Sequence, residues 1–305
     1  MSNDQKTLLH ELEPVVEQNL NRHLEAARPW LPHDYVPWSR GRDFAFLGGQ
    51  DWVPEDSPLN PVAKAALLVN LLTEDNLPSY HREIATTFSR DGAWGTWIGQ
   101  WTAEEGRHSI ALRDYLIVTR GIDPVNLETM RMRHTIAGYD SGGKSALGAL
   151  AYVSIQELAT RVSHRNTGKA SGCPIADQLL ARVALDENLH MVFYRNLMLA
   201  ALDIAPDDAM CAIRDEVLGF SMPGMAMPGF QDNAIMIAKA GIYDLRIHHD
   251  EVVAPVLRFW KINERSDFGP RGEEAREQVV GFMKMVDERA TFYQEKAKAR
   301  ESVSA

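Results

Sequence analysis

The sequence predicts an all-α protein, a four-helix bundle elaborated with additional helices. Apolar residues recur at helical spacing along most of the 305 residues, and no run of alternating or β-branched residues indicates a strand. The second observation is a pattern that occurs twice, a lone Glu followed 31 or 30 residues later by the Glu of an acidic-Glu-x-x-His string. Such residues meet when four long helices pack together. We therefore expect a core bundle over about residues 61–202, with flanking N-terminal and C-terminal helices, in one domain spanning 1–305.

The N-terminal part of the chain divides into a helix, an irregular stretch and a second helix. Residues 7–27 carry apolar residues at helical spacing, interrupted near Pro14. Residues 28–60 are rich in Trp, Pro, Gly and Asp, which predicts irregular structure. Pro61 suits the first position of a helix, and residues 62–76 have a strongly helical pattern.

Pro78 follows this second helix closely. A proline has no N–H, so Pro78 cannot bond the carbonyl of Glu74 four residues earlier. Either the helix is kinked or opened one turn after Glu74, or Pro78 simply ends it. Beyond this point the pattern predicts helices and two loops, 138–144 and 221–230. The predicted helices cover 93–120, a shorter helix from Pro124, 145–167 with a stop at Gly168, 174–202, 233–241, 250–260 and 273–302.

Charge and composition argue against several classes of protein. The formal net charge of −10 disfavours a nucleic-acid-binding protein, which normally has a basic surplus. The two cysteines, Cys173 and Cys211, form no C-x-x-C motif and no disulfide framework. We expect no secretion signal, and no apolar run approaches the ~18 to 20 residues that span a bilayer. These features indicate a cytoplasmic protein without a membrane span.

The repeated pattern has the residue types of a two-metal site. Residues three apart on a helix project from the same face, so each Glu-x-x-His can reach one ion pair. Four carboxylates and two imidazoles suit iron or manganese, whereas zinc more often takes thiolates or fewer ligands. One Glu-x-x-His alone is usually a solvated surface pair, but two copies 83 and 82 residues apart predict a metal centre. The predicted ligands are Glu74, Glu105 and His108 in the first copy, and Glu157, Glu187 and His190 in the second.

With these motifs the chain resembles the soluble acyl-acyl carrier protein (acyl-ACP) desaturases, most closely their actinobacterial branch. The similarity spans roughly residues 11–262. The matching strings are Thr-Glu-Asp-Asn-Leu-Pro-Ser-Tyr at 73–80, Trp-Thr-Ala-Glu-Glu-Gly-Arg-His at 101–108, Ser-Ile-Gln-Glu-Leu-Ala-Thr at 154–160 and Asp-Glu-Asn-Leu-His at 186–190. The resemblance implies a ferritin-like diiron enzyme that uses O₂ and a reduced ferredoxin-type donor to introduce a cis double bond into an ACP-bound acyl chain. It also implies a homodimer.

The resemblance gives each predicted ligand a place around two iron ions. One iron would be bound by Glu74 and His108, the other by Glu157 and His190, with Glu105 and Glu187 as bridges. The chain departs from the family at Gly106, where Asn is usual. It also departs at His81 and Glu83, where some members line the acyl channel with apolar residues.

Thr160 is the residue that the resemblance assigns to catalysis. It matches the family residue whose hydroxyl faces the oxygen-binding side, where it would relay a proton. The alternative is a buried Thr that bonds its own helix carbonyl. A narrow apolar channel past the metals, with basic side chains at its mouth, is expected for the acyl chain.

Three residues are predicted to support the metal-binding histidines. A metal-bound imidazole usually gives its second N–H to an acceptor. We expect Asp186 to accept from His108 and, by internal symmetry, Glu104 to accept from His190. Trp30 would extend this contact into an electron path through Asp186, or would be a structural Trp.

Several other functions share parts of this pattern. A diiron hydrocarbon or acyl hydroxylase and a non-enzymatic ferritin-like iron-binding protein would use the same ligands. The radical-generating subunit of ribonucleotide reductase would need a Tyr one turn after the first His, where Leu112 stands. Residues 138–145 fit the phosphate-loop pattern G-x-x-x-x-G-K-S, but no strand precedes them, so nucleotide binding is not expected. Met222, Met225 and Met227 are expected to pack in a loop.

Overall fold

The computed structural model describes residues 3–222 and 229–304, and within these residues it contains helices and no strand. The all-α prediction is therefore confirmed. The helices are α1 (Asn3–Ala26), α2 (Pro61–Asp75), α3 (Leu77–Thr87), α4 (Gly92–Val118), α5 (Pro124–Ala137), α6 (Ala146–Ala170), α7 (Pro174–Ile204), α8 (Pro206–Gly219), α9 (Phe230–Lys239), α10 (Leu245–Ile247), α11 (Ala254–Phe259) and α12 (Pro270–Ser304). A π-helical stretch, His248–Val253, joins α10 to α11.

Helices α2, α4, α6 and α7 form the four-helix bundle. Each packs against two of the others, so the order around the bundle is α2, α4, α7 and α6. Helices α4, α6 and α7 are continuous over 27, 25 and 31 residues, whereas α2 has 15 residues. The four helices that carry the predicted ligands are thus the four that pack together.

Side-chain caps fix the start of two bundle helices. The Asn60 side chain accepts a hydrogen bond from the N–H of Ala63 at 2.8 Å, and Pro61 occupies the first helical position of α2. Ser145 accepts from the N–H of Gly148 at 3.1 Å and so caps α6. These contacts fix the starts of the two helices that carry Glu74 and Glu157.

A layer of buried charged residues lies between two apolar clusters in the bundle. One cluster contains Trp97 of α4 and Phe193 of α7. The other contains Leu112 of α4 and Val183 of α7. Between these residues, α4 and α7 carry the acidic and histidine side chains of the repeated pattern. The charged layer is therefore enclosed by apolar packing at both ends.

The remaining helices surround the bundle. Helix α1 packs against α4 and α7, α3 against α4 and α6, and both α5 and α9 against α2. Helix α8 packs against α6, α7 and α12. The stretch between α1 and α2 contains four short 3-10 helices, at Pro32–Asp34, Trp38–Arg40, Ala45–Leu47 and Pro54–Asp56. The expectation of irregular structure in 28–60 is largely confirmed.

Two predicted helix breaks are wrong. Helix α1 continues through Pro14, because Leu12 and Val16 on either side are fully buried and their packing outweighs the lost backbone hydrogen bond. Helix α6 continues through Gly168 to Ala170. A Cβ at Gly168 would lie 2.9 Å from Oδ1 of Asp177, so this glycine permits close approach of α7 rather than ending the helix.

Pro78 does not end the helical structure. Helix α2 ends at Asp75, and α3 begins at once with Leu77, so Pro78 occupies the first turn of a new helix where no N–H is needed. The sequence prediction left out both α3 and α8. It also placed residues 221–230 in a loop, of which 223–228, with Met225 and Met227, lie outside the described residues. Across the described ranges, no helix combines the length and the apolar character needed to cross a bilayer.

Candidate metal centre

Six buried side chains from the four bundle helices meet at its centre. Their candidate ligand atoms form two groups, and within each group all atoms lie within 4.8 Å of one another. Glu105 and Glu187 belong to both groups. The structure brings together every predicted metal ligand, Glu74, Glu105, His108, Glu157, Glu187 and His190, and each is at most 7% exposed.

The first group surrounds one nitrogen of His108. Its Nδ1 lies 3.6 Å from Oε2 of Glu74, 3.4 Å from Oε2 of Glu105 and 3.3 Å from Oε1 of Glu187. Glu105 and His108 project together because they are three residues apart on α4. Three carboxylates therefore face a single imidazole nitrogen.

The second group surrounds His190 in the same way. Its Nδ1 lies 2.9 Å from Oε1 of Glu105 and 3.7 Å from Oε2 of Glu157. Glu187 precedes His190 by three residues on α7, as Glu105 precedes the histidine of α4. The repeated spacing in the sequence thus becomes two facing half-sites with two shared carboxylates.

Several buried polar atoms in this centre make no hydrogen bond of good geometry, although they lie close to one another. A buried donor or acceptor left unpaired costs about 1–3 kcal/mol, so a cluster of them is unfavourable unless something binds it. The nitrogen and oxygen lone pairs converge, and this donor set suits iron or manganese. The residues present therefore fit a pair of metal cations. The unpaired atoms are Nδ1 of His108, Nδ1 of His190, Oε1 of Glu105, Oε2 of Glu157 and Oε1 of Glu187.

The electrostatics of the centre also favour cations. Burial, followed by the negative charge of Glu105, raises the pKa of Glu187 well above its ordinary value. Burial would lower the pKa of His108, but the charge of Glu105 outweighs it and holds that pKa well above the usual range. Without cations the cluster gathers protons to offset its carboxylates. Two divalent ions would balance four carboxylates directly.

Outside the first half-site, Asp186 links His108 to Trp30. The Nε2 of His108 lies 3.4 Å from Oδ2 of Asp186, and Trp30 Nε1 donates to the same oxygen at 2.7 Å. The Trp30 and His108 rings stack with centroids 6.3 Å apart. Arg107 and Arg182 both hydrogen-bond Asp186 and lie over the Trp30 ring. Although burial opposes ionisation of Asp186, hydrogen bonds from His108 and Trp30 outweigh it and lower its pKa.

Outside the second half-site, Glu104 links His190 to His23. The Nε2 atoms of His190 and His23 lie 2.9 and 3.0 Å from Oε2 of Glu104, and Gln100 donates to Oε1 at 2.6 Å. The His23 and His190 rings stack with centroids 5.8 Å apart. His23 thus occupies the place that Trp30 has in the other half. Sequence reasoning missed His23, which lies in α1, 81 residues from Glu104, and has no spacing relation to the motif.

Glu74 and Glu157 are each held through one carboxylate oxygen by a residue outside the six candidate ligands. His164 Nε2 lies 2.8 Å from Oε1 of Glu74, and Trp101 Nε1 donates to Oε1 of Glu157 at 3.2 Å. The second oxygen of each carboxylate faces the centre. Sequence reasoning missed both partners. A signal existed for His164, which follows Glu157 by seven residues, two helical turns along the same face.

The Thr160 hydroxyl has a backbone partner. It donates to the carbonyl of Gln156 at 2.7 Å and accepts from the Gln156 side chain at 2.9 Å. The alternative weighed for a buried Thr is therefore present. The same side chain borders a cavity that also reaches Glu105 and Glu157. A proton relay by Thr160 stays a prediction.

This cavity is small and borders the four carboxylates of the candidate metal centre. Its water-accessible volume is about 70 Å³. Its other walls include Tyr80, Ile84, Ala149, Tyr152 and Val153. A mainly apolar and aromatic space therefore adjoins the candidate metal centre.

The cavity lining also contains polar residues outside the centre. Glu83 is one of them and accepts from Ser141 Oγ at 2.6 Å. Lys144 also lines it, but its ammonium is 2.6 Å from Glu216, so the expected basic mouth is not found among the described lining residues. His81 points elsewhere and contacts the Thr102 hydroxyl at 2.8 Å. Residues 138–145 do not have the structure of a phosphate loop. A helix, not a strand, precedes them, and Lys144 is paired with Glu216.

A second cavity adjoins the first across two threonines. Thr73 and Thr160 line both spaces. The second cavity has a water-accessible volume of about 100 Å³ and is lined by Ile237 and Phe230 of α9 and by Tyr243. The two threonines therefore separate the first cavity from a second, mainly apolar one.

Fold and centre together define a class of protein: a helical bundle with a buried carboxylate–histidine cluster that could bind metal. Comparison with known sequences gives the family. The profile of the fatty acid desaturase family matches residues 4–305. The chain belongs to this family.

Named relatives agree with this assignment. The chain is 54% identical over 281 residues to DesA1 of Mycobacterium tuberculosis, provisionally named an acyl-ACP desaturase, covering 90% of this chain and 83% of that protein. It is 30% identical to a seed-specific, chloroplastic stearoyl-ACP 9-desaturase of Brassica napus, covering 92% and 75%. An X-ray structure of DesA2 from M. tuberculosis, with a similarly provisional name, gives a TM-score of 0.73 at 33% identity and covers 88% of this chain and 99% of that chain.

Proposed function

We propose that this protein is an acyl-ACP desaturase that holds two iron ions. In this proposal it uses O₂ and electrons from a ferredoxin-type donor to introduce a cis double bond into a saturated acyl chain. The observation that carries the proposal is the group of unpaired nitrogen and oxygen atoms beside a mainly apolar cavity. Two named relatives, DesA1 and the Brassica enzyme, have acyl-ACP desaturase names.

The bundle would bind each ion through one half-site. Glu74 and His108 would hold one iron, and Glu157 and His190 the other, while Glu105 and Glu187 bridge them. Once bound, the two irons would supply the activation of O₂ and the abstraction of hydrogen. The protein's own contribution is orientation, because Asp186 and Glu104 hold the two histidines from behind.

The cavity would hold the acyl chain against this centre. Its walls of Ile84, Tyr152 and Val153 exclude water and accept methylene groups. Thr160 borders the same space, and in this proposal its hydroxyl would turn from the Gln156 carbonyl to relay a proton within the cavity. Glu105 and Glu187 line the cavity, so a chain within it would present adjacent methylenes to the bridged ions.

The donor and the compartment belong to the same proposal. Trp30 donates to Asp186, lies against two arginines and stacks on His108, so it would carry electrons toward the ions. The cytoplasm is the proposed compartment, since it contains both carrier protein and reduced donor. We also propose that the chain functions as a homodimer.

A turnover assay with defined substrates tests the proposal. Iron-loaded protein is incubated with O₂, a reduced ferredoxin system and saturated acyl-ACP of several chain lengths, and the products are identified by mass spectrometry. A cis alkene, absent without O₂ and absent with Glu105→Ala, is the expected result. An alcohol would instead support the hydroxylase alternative. Oxidised iron without any acyl product would support the iron-binding alternative.

A further inference from the structure

The loop between α5 and α6 contributes to the first cavity, the one that borders the carboxylates. Residues 138–144 match most of the phosphate-loop pattern but precede a helix that binds no nucleotide in the proposed function. Three of them, Tyr139, Ser141 and Lys144, line this cavity. None of the three has a role in the reaction proposed above. The loop therefore forms a part of the cavity wall whose function is still to be assigned.

The first cavity follows one face of α6. The residues of α6 on this face are spaced i, i+3, i+4, i+7 and i+11, and they are Ala149, Tyr152, Val153, Gln156 and Thr160. From Ala149 to Thr160 the face covers about 16 Å of helix, at ~1.5 Å per residue. Glu157, a candidate metal ligand, lies near the Thr160 end. The cavity thus extends from the candidate metal centre toward the start of α6, which Lys144 precedes.

A larger groove also borders Lys144. Its water-accessible volume is about 710 Å³, and its lining comes from α1, the start of α6, the end of α7 and α8. Glu216 and Cys211 of α8 are among the residues that line it. Because Lys144 lines both the groove and the first cavity, it is part of the wall that separates them.

An ion pair holds Lys144 in this wall. Its Nζ donates to Oε1 and Oε2 of Glu216 at 2.9 and 2.6 Å, and it lies 5.0 Å from the centroid of the Tyr152 ring. Glu216 is buried. A Cβ at Gly148 would lie 3.2 Å from Oε1 of Glu216, so this glycine lets the carboxylate approach the start of α6 closely. The ion pair therefore joins α8 to the residues that begin α6.

A charged wall should stop an acyl chain. Methylene groups that entered between Lys144 and Glu216 would break two hydrogen bonds and leave a buried carboxylate without its cation. Burial already raises the pKa of Glu216 above its ordinary value, although Lys144 donates to it. Without the ammonium the buried carboxylate would be less favourable still. The end of an acyl chain gains nothing at this wall that could offset such a loss.

We propose that Lys144 and Glu216 close the first cavity at the start of α6 and thereby limit the length of acyl chain that the protein accepts. This inference rests on the proposed function, because it requires an acyl chain in the cavity. A chain that fits between the candidate metal centre and the ion pair would bind inside the protein. A longer chain would have to displace the pair and enter the groove. The two residues would thus determine specificity and take no part in the chemistry.

The first test measures chain-length preference. Iron-loaded wild type, Lys144→Ala and Glu216→Ala are compared on saturated acyl-ACP of increasing length, with products quantified by mass spectrometry. Relative turnover of chains longer than the wild-type optimum should rise on the order of 10-fold or more in both variants. Lys144→Arg keeps a cation for Glu216 and should keep the wild-type preference. Asp208→Ala, which removes an exposed ion pair with Arg271 beside the groove, is the matched control.

The second test needs no turnover. Cys211 lines the groove, whereas Cys173 lies before the first turn of α7 and serves as an internal reference. Both thiols are labelled with iodoacetamide in the presence of long-chain acyl-ACP and without any reductant, and mass spectrometry measures each rate. In Lys144→Ala the acyl chain should slow the labelling of Cys211 but not of Cys173. In wild type the same acyl-ACP should change neither rate.

The outcomes separate this inference from the proposed function. If wild type forms an alkene and both alanine variants, shown by circular dichroism to be folded, keep its length preference, the ion pair does not limit chain length and the proposed function stands. If no variant forms an acyl product but long-chain acyl-ACP protects Cys211 in Lys144→Ala alone, the role of the ion pair is supported and the desaturase function is contradicted.

Discussion

The two halves of the candidate metal centre contain the same inner residues and different outer ones. In both halves an imidazole contacts a carboxylate through Nε2, at 3.4 Å for His108 with Asp186 and 2.9 Å for His190 with Glu104. Beyond the carboxylate one half has Trp30 and the other has His23. Both rings stack on the histidine of their half, with centroids 6.3 and 5.8 Å apart.

This difference separates two kinds of chemistry. An indole can pass an electron but keeps its N–H proton at neutral pH, whereas an imidazole can gain and lose a proton. The inner residues are alike because they come from a repeated helix pair. The outer residues come from α1 and from the stretch after it, which have no counterpart in the repeat. The halves are therefore free to differ outside the bundle.

Removing a shared ligand should have the largest effect. Glu105 belongs to both half-sites, so Glu105→Ala should leave less than one iron per chain and abolish turnover. Glu157→Ala should affect mainly the half-site of His190. Iron analysis on purified protein measures both, with the exposed Glu25→Ala as control. Full iron content in Glu105→Ala would exclude it as a bridge.

The next test concerns Thr160, which lines the cavity beside the candidate metal centre. Thr160→Val keeps the size but removes the hydroxyl, so fold and iron content should be unchanged. Turnover should fall on the order of 10²- to 10⁴-fold, the usual contribution of a positioned proton donor, and O₂ consumption should become uncoupled from alkene formation. Thr86→Val, which loses the same type of helix-carbonyl bond at an exposed site, is the control. Wild-type coupling would leave Thr160 as a packing residue.

The third test concerns Trp30, which lies outside the half-site of His108. Trp30→Phe keeps an aromatic ring against His108 but loses the donor to Asp186, at a cost of about 1.5–3 kcal/mol in the free energy of unfolding. Reduction of the iron by the donor should slow, while turnover started from chemically reduced protein should not. Stopped-flow spectroscopy measures the two rates. Equal slowing of both would indicate a purely structural tryptophan.

His23 should give the smallest effect. In His23→Leu, Glu104 keeps its contacts with Gln100 and His190, so the loss should be about 1 kcal/mol in the free energy of unfolding. His23→Gln restores an N–H donor and should recover part of it. Denaturant titration measures both variants. If His23→Leu slowed reduction of the iron as much as Trp30→Phe does, Trp30 would have no special role in electron transfer.

The sequence predicted the inner residues well because helix geometry relates spacing to position. Glu-x-x-His defines a face of one helix, and its repetition defines the second half. Asp186 and Glu104 followed from the same symmetry, since each precedes a ligand. His23 could not be predicted in this way, because only the packing of α1 against α4 and α7 brings it to Glu104.

Helix ends were predicted less well for a related reason. Local signals suggested breaks at Pro14 and Gly168, yet both residues lie within helices whose neighbours pack tightly. Local propensity does not include packing partners from another helix, such as Asp177 beside Gly168. These partners are identified only in the folded chain. Helix α8 was also missed, although its apolar side packs against α6, α7 and α12.

Glu74 stands apart from the other five candidate ligands in its backbone surroundings. It is the penultimate residue of α2, whereas Glu105 and Glu157 lie near the middle of long helices. The chain changes helix directly after it, at Asn76, so a movement of Glu74 disturbs few backbone hydrogen bonds. We therefore expect the two ions to be exchanged at unequal speeds. The ion beside Glu74 should leave first, so that a chelator removes iron in a fast phase followed by a slow one.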